Sequence, residues 1–130
     1  MNRHEIRTEK APLPIGPYSQ AVRVGNMIFI SGMLPINVKT KALVTNDIVL
    51  ATRTIFENLD SILNEAGISR DNICKTTIFM RDLKSFSDVN KAYGEYFADC
   101  KVMPARSTIQ VADLPLGAPV EIEFLAVTHS

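Results

Sequence analysis

The longest periodic segment of the chain constrains its fold most. From Asp47 onward, apolar residues recur at the spacing of a helix that packs on one face, at Ile48, Ala51, Ile55, Leu59, Ile62, Leu63 and Ala66. Gly67 follows, and glycine is the residue that most readily adopts the left-handed conformation at a helix end. The pattern therefore predicts one long amphipathic helix that ends at Gly67.

Short apolar and β-branched runs on both sides of this helix predict strands. Residues 21–24 and 27–30 flank Gly25 and Asn26, which predicts a tight hairpin, and we expect a loop over residues 31–35. The run 73–80 is rich in β-branched residues and too short for another long helix. Residues 106–112 and 119–127 predict two final strands, joined by a turn at residues 115–118.

A second helix is expected between the third and fourth of these strands. Asp82 or Ser85 is suited to cap its start, and Pro104 marks its exit. Its apolar stripe consists of Phe86, Val89, Tyr93 and Phe97. We also expect an additional, poorly defined strand between residue 30 and the first helix. The resulting order of strands and helices predicts an α+β fold in which two helices pack on one face of a mixed sheet. We interpret residues 1–130 as a single domain.

The charge balance argues against nucleic acids and membrane surfaces as partners. Fourteen Lys and Arg residues balance fourteen Asp and Glu residues, and no run of basic residues occurs. The first twelve residues alternate in charge and contain no apolar stretch, so we expect a cytoplasmic protein. Cys74 and Cys100 show no metal-binding spacing, and we expect reduced thiols that are buried or half-buried.

The two histidines, His4 and His129, lie close to the ends of the sequence, where chains are usually poorly ordered. Without an internal histidine, a Ser-His or Cys-His nucleophile pair and a three-ligand zinc site are both disfavoured. Any chemistry should then depend on carboxylates, arginine, hydroxyls, backbone groups and water, with no metal.

The last predicted strand has one apolar face and one mixed face. Glu121 and Glu123 share the mixed face with Leu125 and Val127, which predicts a surface covered by a cleft or by another subunit. Arg106 lies in the preceding strand, and we expect it to be the cation that meets these two acids.

Several motifs resemble the reactive imine/enamine deaminase family, of the RidA/YjgF type. They occur in family order over roughly residues 10–128 and are Ile15-Gly16-Pro17-Tyr18-Ser19-Gln20-Ala21, Ile28-Phe29-Ile30-Ser31-Gly32, Asn64-Glu65-Ala66-Gly67, Lys75-Thr76-Thr77-Ile78-Phe79-Met80, Val89-Asn90-Lys91-Ala92-Tyr93, Pro104-Ala105-Arg106-Ser107 and Val120-Glu121-Ile122-Glu123.

This resemblance implies a chorismate-mutase-like fold and a homotrimer whose sheets form a central barrel, with active clefts between subunits. It also implies hydrolytic deamination of 2-aminoacrylate, 2-iminopropanoate and 2-iminobutanoate to 2-keto acids and ammonia. No cofactor is implied.

The resemblance also implies roles for individual residues. Arg106 would bind the substrate carboxylate, and Glu121 would hold the hydrolytic water. The pocket would be lined by Tyr18, Ser31, Gly32, Asn90 and the backbone at Thr108. The chain departs from the family at Met33, where glutamine is common, and at Thr108, where cysteine is common. A role that needs a reactive thiol at position 108 is therefore lost.

Structural roles are the alternative for most of these residues. Glu121 could form an ion pair, Tyr18 could pack in its turn, and Ser31 and Asn90 could satisfy backbone groups. At the level of function, the alternatives are a non-catalytic regulatory protein that binds a small carboxylate, an RNA-acting translation inhibitor and a holdase. The neutral charge and the lack of an internal histidine disfavour the RNA-acting protein.

Overall fold

The computed structural model describes residues 2–129. The strands are β1 (His4–Ile6), β2 (Ala21–Val24), β3 (Met27–Met33), β4 (Ile73–Met80), β5 (Ala105–Gln110) and β6 (Val120–Val127). The α-helices are α1 (Ile48–Ala66) and α2 (Phe86–Tyr96), and short 3-10 turns cover Arg70–Asn72, Leu83–Ser85 and Pro115–Gly117.

The strands form one six-stranded mixed sheet in the order β1-β2-β3-β6-β4-β5. β4 and β5 pair in parallel, and the other neighbouring strands pair antiparallel. Residues 120, 122, 124 and 126 of β6 are all buried, whereas the residues between them are only partly buried or exposed. One face of the sheet therefore forms the core and the other face is open.

Both helices pack on the core face, so the predicted α+β architecture is confirmed. α1 begins where the Asp47 side chain accepts a hydrogen bond from the Leu50 amide, and it ends at Gly67 with φ of 72°. Between these ends, Ala51, Ile55, Leu59 and Ile62 of the predicted apolar stripe are buried. The fully buried large side chains include Ile55, Leu59, Ile62, Ile78, Phe97 and Ile122.

Four local expectations were wrong. β3 continues to Met33 through a bulge after Ile30, so residues 31–33 are part of a strand instead of a loop. His4 is ordered because β1 pairs with β2, where His4 lies opposite Arg23. Asp82 caps the 3-10 turn before α2, and the Ser85 side chain makes no capping hydrogen bond.

The fourth wrong expectation concerns the thiols. Both cysteines are free, but Cys74 is exposed and only Cys100 is half-buried. Simple alternation from the buried residues Thr76 and Ile78 would place Cys74 on the core face. The register shift between Ile73 and Lys75 interrupts this alternation, so Ile73 is buried and Cys74 is exposed. Within residues 2–129, no helix is both long and apolar enough to cross a bilayer.

Candidate active site

Four of the predicted site residues lie around one cleft at the end of β3. The cleft has a volume of about 590 Å³ and is enclosed by the loop before β2, the end of β3 with the segment after it, Pro115 and the start of β6. Tyr18, Ser31, Gly32 and Glu121 all line it. The bulge in β3 is located here, and bulges commonly redirect side chains next to functional sites.

Glu121 is the central acid of this cleft. Its side chain lies directly against the Cα of Gly32, because a Cβ added to Gly32 would lie 2.8 Å from Cδ of Glu121 and overlap with Oε2. Only glycine permits this close approach. Partial burial raises the pKa of Glu121, and the nearby charge of Glu123 raises it further. A carboxyl group with a raised pKa is suited to exchange protons near neutral pH.

Tyr18 and Ser31 already make local hydrogen bonds. The Tyr18 hydroxyl accepts a hydrogen bond from the Ile15 amide at 3.3 Å, and the ring is half exposed. The Ser31 hydroxyl donates to the Ser19 carbonyl at 2.7 Å. Both side chains therefore shape the wall of the cleft, in addition to any contact with a ligand.

Gln20 is a residue that sequence reasoning missed, although it belongs to the motif around Tyr18. It is buried, and its side-chain oxygen accepts from the Thr8 amide at 2.8 Å. Its side-chain nitrogen donates to the Thr8 carbonyl at 3.0 Å and to the Pro12 carbonyl at 2.9 Å. Gln20 thus fixes the loop that forms one wall of the cleft. Its position could have identified it, because Gln20 is a polar residue directly before the predicted strand at residues 21–24.

The other three predicted residues form a second group, between β5 and α2. The Arg106 guanidinium lies 4.9 Å from the ring centroid of Tyr93 and 5.4 Å from that of Phe86. Its Nη1 donates to Oδ1 of Asn90 at 2.6 Å. Asn90 therefore orients the arginine, and the aromatic rings support its cationic group.

Arg106 retains capacity to bind an anion. Among residues 2–129, the ion pairs do not include Arg106. The nearby Thr108 hydroxyl is buried and has no hydrogen-bond partner within that range. Buried polar atoms without a partner are uncommon in folded proteins. This second group therefore contains both an available cation and an unsatisfied hydroxyl.

The expectation that Arg106 meets Glu121 and Glu123 within the chain was wrong. Arg106 pairs with Thr76 of β4, which is buried in the core face, whereas Glu121 pairs with Phe79 and Glu123 with Thr77. Paired residues of neighbouring strands point to the same face of a sheet. Arg106 and the two acids therefore lie on opposite faces, and Arg106 is not among the groups that shift the pKa of Glu121.

Residues 2–129 contain no group of three or more His, Cys, Asp or Glu side chains arranged to hold a metal ion. The chemistry available to the two groups is carboxylate binding at Arg106 and proton exchange at Glu121.

The family model described as Endoribonuclease L-PSP matches residues 8–128 of the chain. The chain belongs to this family. The match spans nearly the whole described chain and includes both groups of site residues, and it confirms the resemblance found from the motifs.

Named relatives within the Endoribonuclease L-PSP family include a reactive intermediate deaminase. A RutC family protein of Aquifex aeolicus is 51% identical over 123 residues, covering 95% of this chain and 98% of the relative. Reactive Intermediate Deaminase A, chloroplastic, of Arabidopsis thaliana is 40% identical over 126 residues, covering 97% of this chain and 66% of the relative. E. coli TdcF, solved with bound serine, has a TM-score of 0.92 and 38% identity, covering 97% of this chain and 99% of TdcF.

Proposed function

We propose that the protein hydrolyses reactive 2-imino and enamine acids to 2-keto acids and ammonia. The substrates are 2-aminoacrylate and its tautomer 2-iminopropanoate, and 2-iminobutanoate. The observation that carries this proposal is Glu121, whose pKa is raised in a cleft closed on one side by Gly32, in a chain related to a reactive intermediate deaminase.

The reaction needs water at C2 and several proton transfers, but no strong nucleophile. An enamine substrate first takes a proton at C3, which gives the electrophilic imine. Ionised Glu121 then accepts a proton from the attacking water, and the same carboxyl returns a proton to the nitrogen. Glu121 then takes the proton of the new C2 hydroxyl and passes it to the nitrogen, so that ammonia leaves as the C2–O double bond forms. Together, 2-aminoacrylate and water give pyruvate and ammonia.

Arg106 is the proposed anchor for the substrate carboxylate. A guanidinium matches a carboxylate in a two-point contact, which fixes orientation as well as affinity. The arginine is held by Asn90 and stacked near Tyr93 before any ligand arrives. The unsatisfied Thr108 hydroxyl lies on the same strand, two residues away.

The separation of Arg106 from Glu121 supports an active site shared between subunits. β4 lies between the strands that carry them, and the two side chains point to opposite faces. A molecule with a three- or four-carbon backbone cannot contact both groups through the sheet. We therefore propose that Arg106 of one copy approaches Glu121 of another.

The open face of the sheet supports self-association. Phe29 is 45% exposed there, opposite Leu125 on the neighbouring strand. An exposed aromatic and aliphatic surface of this kind is typical of a subunit contact. We propose a homotrimer whose sheets form a central barrel, as in chorismate-mutase-like folds. Light scattering at micromolar concentration tests this oligomeric state. A monomeric mass would overturn both the trimer and the active site shared between subunits.

The decisive experiment couples a pyridoxal-dependent dehydratase, which releases 2-aminoacrylate, to this protein. We expect faster formation of pyruvate and ammonia than the spontaneous rate. Glu121→Gln should lower turnover more than it weakens pyruvate binding, because the amide can hydrogen-bond water but cannot accept its proton. Equal losses of turnover and binding would assign Glu121 a structural role.

A non-catalytic regulatory protein that binds a small carboxylate is the second candidate. The serine bound to the related TdcF favours it, since serine carries the same carboxylate group. Binding of pyruvate without any acceleration of 2-aminoacrylate hydrolysis would support this candidate over the enzyme. The cytoplasmic location stays a prediction.

A further inference from the structure

Tyr93 forms a hydrogen bond inside the core that apolar packing does not require. Its hydroxyl lies 2.8 Å from the hydroxyl oxygen of Thr76 on β4. Thr76 is fully buried, and Tyr93 is only 3% exposed. An apolar pair of the same shape would fill this space at little or no cost in stability. The stability of the core therefore does not explain why this pair is polar.

The Tyr93 ring also lies beside the guanidinium of Arg106. The central carbon of the guanidinium is 4.9 Å from the ring centroid, and Arg106 is the residue of β5 that pairs with Thr76. Burial raises the pKa of Tyr93, so the hydroxyl keeps its proton and the ring stays neutral beside the cation. The hydroxyl of Tyr93 is thus bonded to one strand, while its ring contacts the cation carried by the next strand.

Three residues of α2 contact the Arg106 guanidinium, and Tyr93 is the one that is fixed in the core. Phe86, Asn90 and Tyr93 are spaced by four and then three positions, so they share one face of the helix. Asn90 is exposed, and Phe86 is 37% exposed. Tyr93 is both buried and hydrogen-bonded to the sheet, so it gives Arg106 the most rigid contact of the three.

We propose that Thr76 and Tyr93 are positioning residues of the carboxylate-binding site. The hydrogen bond between them fixes the tilt of the Tyr93 ring, and the ring fixes the plane of the Arg106 guanidinium. The two-point contact with a carboxylate depends on this plane. The inference rests on the proposed function, in which Arg106 binds the substrate carboxylate. It adds two residues that act through Arg106 without touching the substrate.

The single variants break the hydrogen bond from either side. Tyr93→Phe keeps the ring and leaves the Thr76 hydroxyl without a partner, and Thr76→Val does the reverse at nearly constant volume. We expect each variant to weaken pyruvate binding, measured by calorimetry, and to lower kcat/KM by about 2- to 10-fold, the range of one net hydrogen bond. Because Arg106 holds the carboxylate before and during the reaction, KM should change more than kcat.

The double variant Thr76→Val/Tyr93→Phe separates positioning from packing. It leaves no buried hydroxyl without a partner, so the Tm, lowered in each single variant, should return towards the wild-type value. Pyruvate affinity should stay low, because the ring is still not bonded to β4. Recovery of affinity together with the Tm would make the pair purely structural and would overturn the inference. Thr76→Ser keeps the hydroxyl and should keep wild-type affinity, and a loss in this variant would also contradict the inference.

Tyr96 provides a matched control, because it has a similar arrangement away from the site. Its hydroxyl donates to Asp60, and the central carbon of the Arg70 guanidinium lies 3.9 Å from its ring centroid. Arg70 is already paired with Asp60. Tyr96→Phe should therefore lower the Tm and leave pyruvate affinity unchanged. A fall in affinity as large as that of Tyr93→Phe would assign both results to a loosened helix α2 and overturn the positioning role.

Arg106→Ala distinguishes failure of this inference from failure of the proposed function. In the Arg106→Ala background, Tyr93→Phe should change kcat/KM no further, since the ring acts through the guanidinium. If Arg106→Ala alone left pyruvate affinity and kcat/KM unchanged, the proposed anchor would fail. If Arg106→Ala weakened binding while Tyr93→Phe, Thr76→Val and the double variant matched wild type, the anchor would stand and the positioning role would be overturned.

Discussion

Replacement of Arg106 is the most direct perturbation of the proposed site. In Arg106→Ala the substrate carboxylate loses its charge partner, and no lysine or arginine lines the cleft at Glu121 to replace it. We expect a large fall in kcat/KM with the fold preserved, because Arg106 is only partly buried at the edge strand of the sheet.

The magnitude follows from the environment of the guanidinium. Loss of one partner of a buried, hydrogen-bonded charge pair costs about 2–5 kcal/mol. Arg106 is only partly buried, which favours the lower part of this range, about 2–3.5 kcal/mol. That corresponds to roughly 30- to 400-fold in kcat/KM. Arg106→Lys should recover only part of the loss, since lysine keeps the charge but lacks the planar two-point contact.

The assay compares acceleration of 2-iminopropanoate hydrolysis by wild type, Arg106→Ala and Arg106→Lys. Arg53→Ala is the matched control, because Arg53 is 55% exposed and its pair with Glu95 is a surface ion pair of little energetic weight. Circular dichroism and assembly mass establish that each variant folds. If folded Arg106→Ala retained more than about a third of wild-type efficiency, the anchoring role would be refuted, since the expected loss is at least about 30-fold.

Three further predictions concern Glu121, its neighbour Gly32 and the response of activity to a chelator. Activity that requires ionised Glu121 falls as the pH drops through the raised pKa of this residue. Glu123→Gln removes one cause of the raised pKa and should therefore move the acidic limb of the pH–activity profile to lower pH. An acidic limb at the wild-type position would contradict this prediction. Gly32→Ala should displace the Glu121 carboxylate and lower kcat roughly tenfold to a hundredfold, with an unchanged circular dichroism spectrum; wild-type kcat would refute the contact. Dialysis against EDTA should leave activity intact, and a loss restored by zinc would show that the chemistry depends on a metal.

Local patterns were sufficient to predict much of the fold. The stripe from Ile48 to Ala66 and the stop at Gly67 depend on contacts only a few residues apart, and α1 has those bounds. The strand over residues 73–80 was also predicted with its observed bounds. By contrast, β1 forms only because a distant segment, β2, supplies its hydrogen-bond partners, and no local pattern contains that information.

The arrangement of the site was less predictable for a related reason. Alternation along a strand shows which residues share a face, but it does not show which face of the sheet that is. The face of Arg106 is decided by its pairing with Thr76, about thirty positions earlier, and the face of Glu121 by its pairing with Phe79. The sequence therefore identified the residue types but could not show that they lie in two separate groups.

The placement of Arg106 and Glu121 on opposite faces of the sheet predicts complementation between inactive variants. If each site takes the arginine from one copy and the glutamate from its neighbour, two inactive variants can restore each other. In mixed assemblies of Arg106→Ala and Glu121→Gln chains, random assortment around a closed ring leaves about a quarter of the sites with both native residues. Two inactive variants produced in one cell would then restore activity that neither provides alone, whereas a site built within one chain would allow no such rescue.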